Sequence, residues 1–455
     1  MTPLLAITLY MVLQFGIGVW VSRRIRTEAD YILAGRTLGY ALTTFSIFAT
    51  WFGAETIVGS AGRAYRDGVS IGSAEPFGYG LCLILMGLIF AAPLWRRQLT
   101  TLADLYRQRF SPGAERLAAI LLIPGSVLWA AAQIRAFGHV LSISSDGLNV
   151  ETALAIAAGF TILYTAFGGM LADAITDVIQ GLLLAVGLVI LLIAVLPHVG
   201  GGPNQIAFDP ARVNLLPPHE SGLAILERWA IPVAGSVIAT ELVGRVLAAR
   251  SPLVARRSAL LAGGMYIALG AIPLLIGVIG PQIAPNLADG EQLLPYIARN
   301  VLPGALYVVF AGALISAILS TVDSTLLVSS ALLSHNIVMP LLRITDERTK
   351  VLVARAGVLT FGVGAYFFAR GASGVFELVE EASAFGSAGA LVTVAFGLFT
   401  TWGGGRTAIA TLAAGVGSYV AASVIGSETP FLLSLVASLG CYLVGAALER
   451  QPATA

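Results

Sequence analysis

Between Ala311 and Asn336 the chain reads AGALISAILSTVDSTLLVSSALLSHN. The stretch is apolar enough to cross a bilayer, yet it carries a row of small hydroxyl residues. Ala317, Ser320 and Thr321 follow i, i+3, i+4 spacing, which stacks them on one helical face within a turn. Two hydroxyl oxygens beside a backbone carbonyl make a hard-oxygen surface suited to a small hard cation. No thiolate or imidazole shares that face, which argues against zinc or copper. Ser and Thr in membrane helices also serve as interhelical hydrogen-bond glue, so these residues alone leave both readings open.

Carboxylates and aromatics interrupt other apolar stretches. ATWFGAETIVG (49–59) carries Trp51, Gly53, Glu55 and Gly59, and the stretch 222–248 carries Pro232, Gly235, Glu241 and Gly244. Gly and Pro loosen a helix and a buried carboxylate needs partners, so both stretches are expected to be interrupted helices. Glu241 and Arg245 are four apart and a pairing between them is open. Asp173, Thr176 and Asp177 open another apolar run, where carboxylates also suit the helix dipole. Asp323 is expected to face another helix or a water path, and Arg135 to be the basic residue at membrane depth. Glu377, Glu380 and Glu381 either attract cations to a vestibule or cap a helix start. Cys82 and Cys441 read as packing residues, and the four histidines form no cluster. No GxGD or HExxH stretch appears, so neither pattern points to an intramembrane enzyme.

The scaffold that must hold these groups follows from composition. The 455 residues are 57% hydrophobic and 11% charged, against about 25% charged for an ordinary soluble domain. This is the composition of an all-α polytopic membrane protein, and a net charge of +1 gives nucleic acid no handle. A span needs roughly 20 apolar residues, and by that rule the chain divides into about 13 transmembrane helices within a single domain, 1–450. A leading helix covers 3–22. Ten core helices cover 40–62, 70–95, 115–143, 150–168, 172–196, 222–248, 257–280, 300–336, 350–370 and 376–400. Two trailing helices cover 405–424 and 429–448, within 405–448. The segments 40–196 and 222–400 then hold five helices each, with an interrupted helix first in both, which suggests two inverted repeats. The Pro-rich loops 197–221 and 281–299 are expected to hold short interfacial pieces. The first apolar run lacks a preceding basic residue and is followed by Arg23, Arg24 and Arg26. It therefore reads as a span with its N-terminus outside, not as a cleavable signal. In that topology most of the 26 basic residues fall inside, and the C-terminus is cytoplasmic.

The runs YILAGRTLG (31–39), ATWFGAETIVGSAG (49–62), YTAFGGMLADAITDVIQ (164–180), GRVLAARS (244–251) and ISAILSTVDSTLLVSS (315–330) resemble the sodium:solute symporter family. The resemblance implies a LeuT-type fold: two inverted five-helix repeats, a leading helix and, as in the sodium/proline branch, thirteen spans. ATW (49–51), EPFGYGLCLIL (75–85), LWAAA (128–132) and GRVLAARS add a local likeness to the high-affinity choline transporter branch. Carried over residue by residue, the resemblance implies a sodium site. Its ligands would be the carbonyls of Ala49, Phe52 and Ala317 and the hydroxyls of Ser320 and Thr321. Asp177 matches the aspartate of the family's TD motif, implying a second sodium site or a coupling role. The solute is implied to sit between the two broken helices, lined by Trp51, Glu55, Tyr79, Trp129 and Glu241. The three aromatics align with a cage that holds a quaternary ammonium by cation–π attraction. Ala239 stands where that branch has another aromatic, and Glu55 and Glu241 stand where it has small or neutral residues. These departures point to a smaller cation, or to an amine-bearing zwitterion with Arg135 facing its carboxylate.

The expected function is sodium-coupled secondary active import of a small amine-bearing solute by alternating access. A choline-like cation, proline or another amino acid would fit. The expected location is the inner (plasma) membrane, with sodium as coupling ion, solute and bilayer as partners, and no obligate protein partner. Two alternatives stand beside it. One is a sodium-dependent solute sensor, which would call for a signalling domain after Arg450. The other is a symporter for a neutral or anionic solute such as a sugar, a carboxylate or pantothenate.

Overall fold

A computed structural model of the chain describes residues 3–144, 148–198, 212–213, 221–287, 289–372 and 374–449. Most of the 197–221 loop, expected to hold interfacial pieces, lies outside the described residues. Among the described residues twenty α-helices follow one another. They are α1 (Pro3–Ser22), α2 (Glu28–Leu33), α3 (Tyr40–Trp51), α4 (Ser60–Asp67), α5 (Phe77–Leu85), α6 (Ala91–Arg96), α7 (Ala103–Arg109), α8 (Pro112–Ser144), α9 (Val150–Val195) and α10 (Gly222–Ala230). Then come α11 (Thr240–Ala248), α12 (Pro252–Ile283), α13 (Leu293–Val301), α14 (Gly304–Leu333), α15 (Met339–Leu342), α16 (Glu347–Gly371), α17 (Val375–Ala384), α18 (Ser387–Phe399), α19 (Gly405–Val424) and α20 (Pro430–Leu448). Among the described residues nine helices are long and apolar enough to cross a membrane, or eleven if each of two bent pairs is one span. The second Pro-rich loop does carry a short helix, α13.

The breaks organise the fold, and each has a local cause. α3 ends at Phe52 (φ −88°, ψ 69°) and the chain resumes at Glu55, bent by 52°. Gly53 leaves room beside this turn for the Glu55 carboxylate and the Gln133 amide, which a Cβ there would meet at 2.5 and 2.9 Å. α10 runs through a widened turn containing Pro232 and stops, and α11 restarts after Ala239 (φ −55°, ψ 139°). The two interruptions expected from Gly, Pro and a buried Glu are thus present. α9 has 46 residues and would span about 69 Å at 1.5 Å per residue, twice the hydrocarbon thickness. Gly169 (φ 61°, ψ −176°) divides it, between the two spans expected at 150–168 and 172–196. A fourth break, at Gly386 (φ +73°), bends α17 against α18 by 40°.

α14 packs against α1, α3, α8, α9 and α16, and its hydroxyl row is buried. Part of that row bonds back to its own helix. Ser324, Thr325 and Ser329 donate to the carbonyls four residues back, at 2.6, 3.0 and 2.7 Å. The hydroxyls thereby satisfy themselves and let neighbouring helices approach closely. One end of the bundle is clasped by main chain. Leu38 N–H donates to Ala248 O (3.2 Å) and Arg250 N–H to Leu38 O (2.9 Å), joining the segment before α3 to the end of α11. At the same end His335 bridges Glu28 (Nδ1 to Oε1, 2.7 Å) and Asp104 (Nε2 to Oδ1, 3.3 Å).

Gly169 combines a backbone region essentially reserved for glycine with the Tyr31 carbonyl 2.9 Å from a would-be Cβ. Gly169→Ala should therefore cost about 1–3 kcal/mol from backbone conformation alone and lower the melting temperature of the purified protein by several degrees. Gly159→Ala, on a helix with nothing within 4 Å of its Cβ position, is the control. Equal melting of the two variants would refute this account of the break.

Candidate functional site

α14 meets the broken end of α3 through Thr321, whose hydroxyl donates to the Thr50 carbonyl at 2.9 Å and also lies 3.2 Å from the Ala317 carbonyl. Ala49 and Phe52 flank Thr50 on the last turn of α3, and these two, Ala317 and Ser320 are wholly buried. Ser320 donates to Asp177 Oδ1, and Ser46 of α3 donates to Asp177 Oδ2 at 2.6 Å. Asp177 therefore belongs to the same junction as Ser320. Its partners are side chains of other helices, which is not the surrounding that a helix-dipole role would give. The donors here are carbonyl, hydroxyl and carboxylate oxygens, a set that suits a small hard cation.

Arg245 of α11 is fully buried beside this junction. It pairs with Asp173, reaches Ser324, donates through Nε to Thr50 Oγ1 at 3.1 Å and lies 3.8 Å from Asp177. Of the pairings left open for Arg245, the one with Glu241 is not made among the described residues, and Arg135 is not alone at membrane depth, since Arg245 is fully buried too; Arg135 donates to the Ala369 carbonyl of α16. Asp173, Asp177 and Asp323 together outweigh Glu241 as a counter-charge for a guanidinium that has no water. Asp323 and Asp173 line one small cavity of about 170 Å³ with Tyr164, so Asp323 does face another helix.

Trp51, Tyr79 and Trp129 come together as an aromatic wall. Ring centroids are 5.1 Å apart for Trp51–Trp129, 6.4 Å for Trp51–Tyr79 and 6.1 Å for Tyr79–Trp129. Tyr266 of α12 extends the wall, 6.4 Å from Tyr79 and 5.1 Å from Phe52. A cavity of about 630 Å³ reaches Glu55, Glu75 and Tyr79 from the end of the bundle opposite the clasp. Glu55 accepts from Gln133 Nε2 at 2.8 Å, while Gln133 Oε1 accepts from the Ala54 N–H at 2.8 Å. One amide thus holds both the free start of the helix after the break and the carboxylate beside it.

Glu241 is elsewhere. It lines a separate cavity of about 390 Å³ with Ser126, Trp129, Thr240 and Ser383. The Tyr79 hydroxyl and Ser383 Oγ, 3.0 Å apart, stand between the two cavities. The residues expected to line one solute site therefore divide into two groups, Glu55 and Tyr79 on one cavity and Trp129 and Glu241 on the other, with Trp51 packed against Tyr79 and Trp129. Sequence reasoning passed over Glu75, Gln133 and Tyr266. Glu75 had a usable signal, since it is a carboxylate in an apolar stretch, like Glu55. Gln133 lies four residues beyond Trp129 on the same helix, and only that spacing pointed to it.

Broken helices around a buried oxygen-rich junction and an aromatic cavity define a secondary transporter of the LeuT type. The description of the sodium:solute symporter family matches residues 31–415, and the chain belongs to that family. It is a family of symporters, not of enzymes. The chain is 29% identical over 391 residues to the human high affinity choline transporter 1, covering 80% of this chain and 66% of that one. It is 26% identical over 376 residues to the sodium/pantothenate symporter of Escherichia coli (strain K12), covering 80% and 77%. It is also 26% identical over 372 residues to the high-affinity proline transporter PutP of Bacillus subtilis, covering 78% and 77%. The chain thus spans about two thirds of the length of that choline transporter. In fold it is similar to a Na+-coupled sialic acid symporter in a substrate-bound outward-open state, with TM-score 0.86, 17% identity and 99% of both chains covered. MhsT in complex with L-phenylalanine is a more distant match, with TM-score 0.57, 14% identity and coverage of 90% and 98%.

Arg245→Met leaves the acidic cluster without its cation and should cost roughly 3–5 kcal/mol, the range for breaking a buried pair. Adding Asp173→Asn removes one of the stranded charges. The double variant should melt above Arg245→Met alone. A double variant melting below both single variants would mean that the two side chains are not coupled.

Proposed function

We propose that the chain is a sodium-coupled symporter that imports a small amine-bearing solute across the plasma membrane. The observation that carries the sodium half is the Thr321 contact with the broken end of α3. An ion held by the Ala49, Phe52 and Ala317 carbonyls and the Ser320 and Thr321 hydroxyls would tie α3 to α14. Asp177, hydrogen-bonded to Ser320, is the candidate for a second ion or for coupling. Since a ligand shifts a conformational balance only by its differential affinity, the ion must bridge α3 and α14 better in one state than in the other. The proposed repeats are 40–196 and 222–400, with the N-terminus outside and the C-terminus cytoplasmic. In that orientation the clasped end faces the cytoplasm and the Glu55 cavity opens outward.

The solute half rests on Glu55 beside an aromatic wall. A carboxylate buried there is best balanced by a positive group, and the aromatics can add cation–π attraction. The likeness to choline and proline transporters supports an amine. The likeness to a pantothenate symporter keeps an anionic solute as the second reading, against which Glu55 and Glu75 both stand. Arg135, expected to meet a solute carboxylate, donates to the Ala369 carbonyl of α16.

Two measurements in proteoliposomes test these halves. Thr321→Ala and Ser320→Ala each remove a ligand oxygen from a small side chain. Each should raise the sodium concentration for half-maximal uptake by about tenfold, if a ligand contributes about 1.4 kcal/mol. Unchanged sodium dependence in both would leave α14 with packing hydroxyls only. Glu55→Gln keeps size and removes charge. It should weaken competition by amines more than it changes sodium dependence, and normal amine competition in this variant would exclude Glu55 from solute binding.

A further inference from the structure

Glu75 sits in the short segment before α5, and is 7% exposed. Its Oε1 accepts from Thr56 Oγ1 at 2.6 Å and from the Tyr266 hydroxyl at 2.8 Å. Thr56 is the neighbour of Glu55, which is 1% exposed. Each carboxylate is therefore fixed through one oxygen by neutral donors, Glu55 by Gln133 and Glu75 by Thr56 and Tyr266. The other oxygen of each, Glu55 Oε1 and Glu75 Oε2, is buried and makes no hydrogen bond among the described residues. Both side chains line the same 630 Å³ cavity.

The remaining charges of that cavity lie toward its mouth. They are Arg63, whose guanidinium stacks 4.7 Å above Phe376, together with Arg228 and Glu380. The mouth is thus mixed in sign, and the deep end holds two carboxylates with only Tyr79, Ala74 and other uncharged residues beside them. We propose that the solute carries two positive centres: a short linear diamine, one ammonium on Glu55 and the other on Glu75, with its methylene stem against Tyr79. This rests on the amine reading above and narrows it.

The chemistry of the free oxygens supports this choice. Neither makes a hydrogen bond of full geometry, although the unpartnered Trp129 indole N–H is a neighbouring donor for Glu55, and a primary ammonium brings three donors as well as charge. A quaternary ammonium brings charge alone and would leave both oxygens unsatisfied. A single ammonium can satisfy one carboxylate and leaves the other without a cation in a low-dielectric site, where it must either carry a costly unpaired charge or take up a proton. Two ammonium groups answer both. Neither carboxylate is drawn off by Arg245, which is committed to Asp173 and Asp177.

The test uses the purified full chain in sodium, with 1,4-diaminobutane, butylamine and choline as probes, read by melting temperature and by direct titration. The wild-type protein should bind 1,4-diaminobutane at least tenfold more tightly than butylamine. In Glu75→Gln, which keeps shape, this preference should collapse to near unity with butylamine affinity retained. If butylamine or choline binds the wild-type protein as tightly as the diamine, or if the preference survives in Glu75→Gln, the two-centre proposal is wrong while the amine reading stands. If none of the three binds, both fall. The wild-type comparison decides even where the variant does not fold.

Discussion

The guanidinium of Arg245 is buried completely, and most of the interior is arranged around that fact. A cation without water must be surrounded by acceptors, and these come from three other helices. Asp173 and Asp177 are supplied by α9, Ser324 by α14 and Thr50 by α3. Four helices, α3, α9, α11 and α14, are thereby gathered on a single charge. Such a cluster gains little net stability over an apolar one, because desolvation offsets most of the attraction. Its value is in making the arrangement specific: a helix displaced by one turn would strand a charge.

The seven residues from Ala49 to Glu55 connect this cluster to the aromatic cavity. Thr50 gives its carbonyl to Thr321 and its hydroxyl to Arg245, Trp51 joins the aromatic wall, and Glu55 enters the cavity. The helix is interrupted within this segment, so a change on the cation side need not be absorbed by a rigid rod. It can alter the angle at which Trp51 and Glu55 are offered to a solute. Gln133 restrains the far side of the same break, which limits that freedom to α3 and the turn.

Much of this was legible in the chain because it depends on local rules. The apolar spans follow from the absence of water at membrane depth, and the breaks at Gly53 and Pro232 from backbone sterics. Even Gly169 falls between two segments that length alone separates. Glu241 and Arg245 show where such rules stop. Spacing of four makes a pair available on a helix surface, but the choice of partner is made by whatever else is packed there. Three aspartates on other helices cannot be read from the spacing of α11. The division of Trp51, Tyr79, Trp129, Glu55 and Glu241 between two cavities was hidden for the same reason. Each residue was identified by type and depth, whereas the hydrogen bond that separates the groups joins Tyr79 to a serine about 300 positions away.

That hydrogen bond and the clasp of Leu38 on α11 give the two ends of the bundle different character. The clasp is backbone to backbone, reinforced by His335 between two carboxylates, and opening it requires separating several paired groups together. The Tyr79–Ser383 contact is one bond between neutral hydroxyls, flanked by aromatic faces that tolerate sliding. A ligand entering the Glu55 cavity therefore meets a weak partition before it meets a strong one. For transport to alternate, the strong closure must be the one that yields to combined occupancy. α3 offers one route to that release, because it begins beside the clasp and carries Thr50 in its last turn. The cation junction at that end is connected to the clasp along α3, and the Glu241 cavity is connected to it along α11, whose last residue, Ala248, accepts from Leu38.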